Sequence, residues 1–162
     1  MLTSKTRKKG FGLLEIVIGV AIISVSLFSL SAVAHIALKV ARESVRGAQA
    51  AFLLEEGVEV MKLMRDSGWS TNISPLVADS DYYLYLDANN VWQSTTTPVV
   101  INGVFTRAVR ISNVYRDADN DIAASGTLDN NIKKISIAVS WVDRNATSTK
   151  NMIGFITNLF KN

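Results

Sequence analysis

The chain has 162 residues, with 17 Lys and Arg against 14 Asp and Glu, a single His and no Cys. That length leaves room for one modest domain beyond an anchor. The missing cysteines exclude disulfide staples and thiolate zinc sites, and the lone His35, set inside an apolar run, has no second histidine for catalysis or ligation. The net charge of +3 invites a nucleic-acid reading, since clustered basic residues are the footprint of phosphate binding. Lys5, Arg7, Lys8 and Lys9 account for that excess, and residues 11–162 hold 13 basic and 14 acidic residues.

In chain order, the basic stretch ends at Gly10, and from Phe11 to Leu38 there follow 28 residues in which Glu15 is the only formal charge. A run of this length crosses a bilayer as a helix. A lone carboxylate there costs roughly 2.5–3.5 kcal/mol at the helix centre and less near an end, so Glu15 needs a partner or a purpose. Ser24, Ser26, Ser29 and Ser31 do not interrupt the run, because serine hydroxyls can bond back to the helix backbone. A secretory signal has a shorter apolar core, roughly 7–15 residues, and its small cleavage residue follows that core. Here Gly10 precedes it, so the hydrophobic part is retained. Lys5 to Lys9 set a cytoplasmic N-terminus and place everything after Leu38 outside.

In these residues, a short cationic leader, Gly10-Phe11 and a glutamate four positions on, the chain resembles the type IV pilin and pseudopilin family. The match covers about 30 N-terminal residues. The resemblance implies cleavage by a prepilin peptidase between Gly10 and Phe11 and N-methylation of Phe11. It also implies a role for Glu15 in assembly, pairing with the N-terminal amine of a neighbouring subunit. Other pilin subunits, an assembly platform and a motor ATPase are the further partners implied, with a filament outside the cytoplasmic membrane as the destination. Gly12 stands where the family usually has Thr or Ser. Ala32 stands where many major pilins have Pro, so the run lacks a proline's reason to kink and looks more like a minor subunit.

From Lys39 the pattern becomes amphipathic without a break. Ala41, Val45, Ala48, Ala51, Leu54, Val58, Met61 and Met64 recur at steps of three or four, which predicts one apolar helix face. Gly47 and Gly57 each cost up to about 1 kcal/mol relative to Ala in a helix interior, a loss only close packing would offset. One helix is predicted from Phe11 to about Asp66, roughly 84 Å at about 1.5 Å per residue, stopped by Ser67-Gly68.

Residues 67–80 read as a loop with Trp69 tucked against the helix end. Tyr82 to Leu86, the turn Asp87-Ala88-Asn89-Asn90 and Val91-Trp92 predict a hairpin, and Ser94 to Pro98 read as loop. Three stronger strands follow. Val104 to Tyr115 carries Phe105, Val109 and Ile111 on one face. Lys134 to Asp143 alternates Ile135, Ile137, Val139 and Trp141 with Ser136, Ala138 and Ser140. Lys150 to Phe160 gives Ile153, Phe155 and Leu159 one parity. Alternation implies a sheet with one covered face, and the amphipathic half-helix is its cover. The expected fold is α+β: a leader (1–10), a transmembrane helix (11–38), its amphipathic continuation (39–66) and an exported β-domain (67–162) of about four antiparallel strands.

Asp117-Ala118-Asp119-Asn120-Asp121 places carboxylates at alternate positions, as a calcium loop does. The EF-hand requires Gly at the sixth position and Glu at the twelfth, where this chain has Ile122 and Leu128. The two remaining readings are a looser calcium site of Asp117, Asp119, Asp121 and Asp129, calcium being the one cofactor considered, and a solvated acidic turn. Asn145-Ala146-Thr147 and Asn72-Ile73-Ser74 fit glycosylation sequons and are read as chance. Arg107, Arg110 and Arg116 are read as a wet sheet face, with contact to DNA or a neighbouring subunit as the alternative. A serine nucleophile would lack a base, so no enzymatic reading is made. The expectation is a structural subunit, with a major pilin, a secretion pseudopilin or a membrane-anchored binding module as the alternatives.

Overall fold

The computed structural model describes residues 12–143 and 146–160. The leader, Gly10, Phe11 and Asn145 therefore lie outside the described residues. One helix, α1 (Leu13–Ser67), opens the structure and a single turn, α2 (Trp69–Asn72), follows it. The strands are β1 (Asp81–Leu86), β2 (Trp92–Thr95), β3 (Val100–Ile101), β4 (Phe105–Arg116), β5 (Ile122–Ala123), β6 (Thr127–Asp143) and β7 (Ala146–Thr157). The chain divides into two units, Met1–Val45 and Arg46–Asn162.

In the first unit the helix begins where the Gly12 carbonyl accepts the amides of Glu15 and Ile16. Leu, Ile, Val and Phe side chains from Leu13 to Val40 are exposed all around it. An all-round apolar helix is a membrane span or the core of something larger. Ser24, Ser26 and Ser29 donate their hydroxyls to the carbonyls of Val20, Ile22 and Val25, as expected for serines that leave a helix intact.

In the second unit α1 lies across an antiparallel sheet. Ala50, Leu54, Val60, Met61 and Met64 are buried against Leu84, Phe105, Val109, Ile111, Ile135, Ile137, Val139 and Trp141. Each large side chain so buried contributes about 1.5–3 kcal/mol. The buried stripe starts later than the apolar periodicity predicts, since Ala41, Val45 and Ala48 are exposed and Ala50 replaces Ala51 as the fully buried alanine. Gly57 belongs to this stripe, and its lack of a side chain lets the helix approach Arg107 and Ile137.

The helix ends as the sequence requires. Gly68 has φ 150°, and a Cβ there would collide with Thr71 Oγ1. Asn72 Nδ2 donates to the Met64 carbonyl at 3.1 Å, satisfying an acceptor the helix leaves open. Trp69 is buried, as expected.

Among the described residues the sheet has seven strands, where about four are expected. Its order is β2-β1-β4-β6-β7, with β3 and β5 also paired to β4. The reason lies in β4: β6 follows one of its edges throughout, while β3, β1 and β5 occupy successive parts of the other. The two-residue strands β3 and β5 are too short to produce a periodic signal. Ser94 and Thr95, expected in a loop, lie in β2 opposite Leu84 and Tyr83. The β6 strand begins seven residues before the predicted start, because Thr127 to Asp129 pair with Arg116 to Val114 on the far side of a bulge.

The parity assigned to β7 is reversed. Ile135 faces Gly154 and Ile137 faces Met152, which puts the even-numbered residues of β7 on the helix side and buries Ile156. Ile153 and Phe155 project outward, 61% and 51% exposed, and Leu159 lies past the strand end.

Candidate functional site

Four features of the sequence carried functional expectations: Glu15, the acidic stretch, the three arginines and the apolar helix. Glu15 lies in the first turn of α1 and is exposed. A carboxylate there sits beside the positive end of the helix dipole, a position common for acidic side chains. It stands at one end of an exposed apolar surface, and the helix contains an 18-residue stretch of mean hydropathy 2.5 with no residue buried. The helix is long and apolar enough to cross a membrane. Its expected neighbours in the chemistry, Gly10 and Phe11, are outside the described residues.

The acidic stretch forms the turn between β4 and β5. The Asp117 carboxylate accepts the backbone N–H groups of Asp119 and Asp121 through the same oxygen, at 3.0 and 2.9 Å. Asn120 takes φ 70°, a conformation Asn tolerates better than most residues. Asp129 reaches Arg116 instead, accepting from its Nε at 2.7 Å, and Arg116 also donates to the Asn120 carbonyl. The Arg116 hydrogen bond holds the Asp129 carboxyl below its ordinary value, with the Asn131 N–H adding to it and burial opposing. Among the described residues no group of three or more His, Cys, Asp or Glu side chains is placed to hold a metal ion. Two of the four aspartate side chains have defined contacts: Asp117 closes the turn and Asp129 binds an arginine.

The three arginines do not share a face. Arg110 lies on the outer face of the sheet, paired with Asp81 at 2.7 Å, and Arg116 serves the turn. Arg107 points the other way and is 2% exposed. Its Nη1 donates to Glu56 and to the Leu53 carbonyl, both on α1, and its guanidinium lies 5.6 Å from the Trp92 ring centroid. Its Nε has no hydrogen-bond partner among the described residues. The wet-face reading is corrected for this residue. The signal was present, because 107 has the parity of Phe105, Val109 and Ile111. A charged residue on a buried strand face must find an acceptor there, and Glu56 on the facing helix is that acceptor. Arg107 joins helix to sheet rather than offering itself to a ligand.

Comparison with protein-family models, curated proteins and solved structures finds no match to this chain.

Proposed function

We propose that the chain is a structural subunit, minor rather than major, of a type IV pilus or a related secretion pseudopilus. The observation that carries the reading is the position of Glu15, in the first turn of α1, at the start of an apolar helix surface that is exposed among the described residues. An uncovered apolar surface of this extent needs lipid or other helices around it. A subunit that is first stored in a membrane and then bundled with copies of itself meets that need in both states. The continuation of the same helix onto an antiparallel β-domain is compatible with a pilin-like fold.

The proposed mechanism starts with removal of the leader after Gly10, which leaves a positive amine at Phe11. Glu15 of a neighbouring subunit supplies the opposite charge. Inside the bundle that pair is costly to desolvate as well as strongly attractive, so its main contribution is register. Apolar helix surfaces replace lipid as the subunit leaves the bilayer. The β-domain, with Arg46–Asp143 and Arg107–Glu56 tying it to α1, travels with the helix.

The test is intact mass and N-terminal sequence of the protein expressed with and without a prepilin peptidase, alongside Gly10→Ala. A peptidase-dependent start at Phe11, blocked in the variant, is the expected result. An uncut chain, or a cut beyond Leu38, removes the pilin reading and leaves an anchored or secreted domain.

A further inference from the structure

A cleft of about 260 Å³ opens between the C-terminal end of α1, α2 and the β1–β2 hairpin. Among the described residues its lining holds no charged side chain. Leu63, Val91 and Trp92 give it apolar walls, and Asn72, Asn90 and Gln93 bring three carboxamides to it. Two of these carboxamides are half engaged through their NH₂ groups: Asn72 donates to the Met64 carbonyl and Gln93 to Asp87, leaving both amide oxygens as open acceptors. The Asn90 carboxamide and the Trp92 indole N–H make no hydrogen bond to any described residue. Asn90 is held in place by its backbone, which takes φ 59° at the hairpin turn and donates its N–H to the Asp87 carbonyl. Trp92 is held by Arg107 against its ring.

We infer that this cleft binds a neutral, hydroxyl-rich ligand of the size of one saccharide unit. Each hydroxyl both donates and accepts, and the open groups here include two acceptors, one donor and one amide able to do either. An ionic ligand would find no counter-charge in the lining and would lose its hydration without return. A purely apolar ligand would strand the same amides. The combination of a few convergent polar groups with aromatic and aliphatic walls is that of a small-molecule site, and a sugar ring has the matching pair of surfaces, C–H faces and a hydroxyl rim. The saccharide is recognised by this chemistry whether it is free or the end unit of a longer glycan.

The experiment uses the full chain in a zwitterionic detergent without a sugar headgroup. Saturation-transfer NMR is recorded with methyl glycosides of glucose, galactose, mannose and N-acetylglucosamine at about 10 mM, a concentration that fills a site with a Kd of about 1 mM. Oligosaccharides ending in the same units separate end-unit recognition from binding of the free sugar. Asn90→Gly deletes the amide and keeps a residue suited to positive φ, and Trp92→Phe keeps an aromatic ring while removing the N–H. Asn151→Ala, on the outer sheet face, is the control. Transfer to at least one glycoside or oligosaccharide, reduced about threefold or more by each cleft variant and unchanged by the control, is the expected result. No transfer from the wild-type chain to any of these sugars overturns the inference, as does transfer that survives both cleft substitutions.

Discussion

Gly57 of α1 packs directly against Arg107 of β4. A Cβ built at 57 would stand 3.1 Å from Arg107 Cδ and 3.2 Å from Ile137 Cγ2. Neither neighbour is free to move, since Arg107 is fixed by Glu56, Leu53 and Trp92, and Ile137 is 1% exposed in the core. Gly57→Ala gains up to about 1 kcal/mol of helix propensity and incurs an overpacking cost of about 1–3 kcal/mol. The net expectation is destabilisation of about 1 kcal/mol. Gly47→Ala should go the other way, because its Cβ would meet only Lys150 at 3.7 Å, an ordinary contact. Chemical denaturation of the two variants should give shifts of opposite sign, and a stabilised Gly57→Ala would show that the helix can lift off the sheet at little cost.

The Arg107–Glu56 pair is unequally buried, with the arginine side chain 2% and the glutamate side chain 46% exposed. Removing the glutamate charge therefore leaves a buried guanidinium, whereas removing the arginine leaves a carboxylate that water can reach. Breaking a fully buried pair costs about 3–5 kcal/mol. The remaining Leu53 and Trp92 contacts should hold Glu56→Gln to about 2 kcal/mol. Arg107→Met keeps much of the packing, and combining it with Glu56→Gln should recover part of the single-variant loss. Denaturation midpoints for the four-member cycle measure this coupling. Strict additivity would mean that the two side chains do not act as a pair.

The turn beyond β4 gives a pH dependence whose sign follows from Asp129. Its carboxyl is lowered from 3.8, chiefly by the Arg116 hydrogen bond. A lowered carboxylate contributes stability that is present above the unfolded-state value and is lost as pH falls through the folded one. Asp87 acts in the same direction, held down first by the Val91 N–H. Unfolding free energy should therefore decrease as pH drops below about 4. Asp129→Asn should be less stable than wild type at neutral pH, and the gap should narrow at acid pH. Urea titrations at the two ends of this range decide it, and a gap that widens on acidification contradicts the assignment.

Much of this architecture was legible because its signals are local. The apolar run, the Gly68 stop and the alternation of Ile135, Ile137, Val139 and Trp141 each state a period or a breaker directly. The β7 parity was not legible. Its inward face carries Lys150 and Gly154 among its residues, while Ile153 and Phe155 lie outward, so hydrophobicity along that strand points to the wrong side. The short strand β3 had a signal of another kind. Asn102 and Gly103 both take positive φ, at 52° and 68°, in the three-residue connection from Ile101 to Phe105, and Asn-Gly is a strong hairpin-turn signal. Arg107 illustrates the remaining gap. It reads as a wet-face residue despite sharing the parity of Phe105, Val109 and Ile111, because only the facing helix, some 50 residues earlier in the chain, supplies the Glu56 that makes its burial tolerable.

Glu15 offers the sharpest separation between a tolerated residue and a functional one. Glu15→Gln removes a charge from an apolar helix, and a charge costs roughly 2.5–3.5 kcal/mol at a membrane centre and less near its edge. On the proposed reading, membrane retention should therefore be unchanged or improved, and leader removal after Gly10 should persist. If the carboxylate pairs with a neighbour's amine, recovery in sheared filaments should fall about tenfold or more, the effect of losing only about 1.4 kcal/mol per subunit contact. Glu15→Asp, with the charge kept on a shorter arm, should fall between the two. The measurement compares membrane and filament fractions for the three forms in cells carrying the assembly machinery. Equal filament recovery for Glu15→Gln and wild type would reduce Glu15 to a tolerated surface residue, because the substitution removes the proposed partner charge while leaving the helix at least as well suited to lipid.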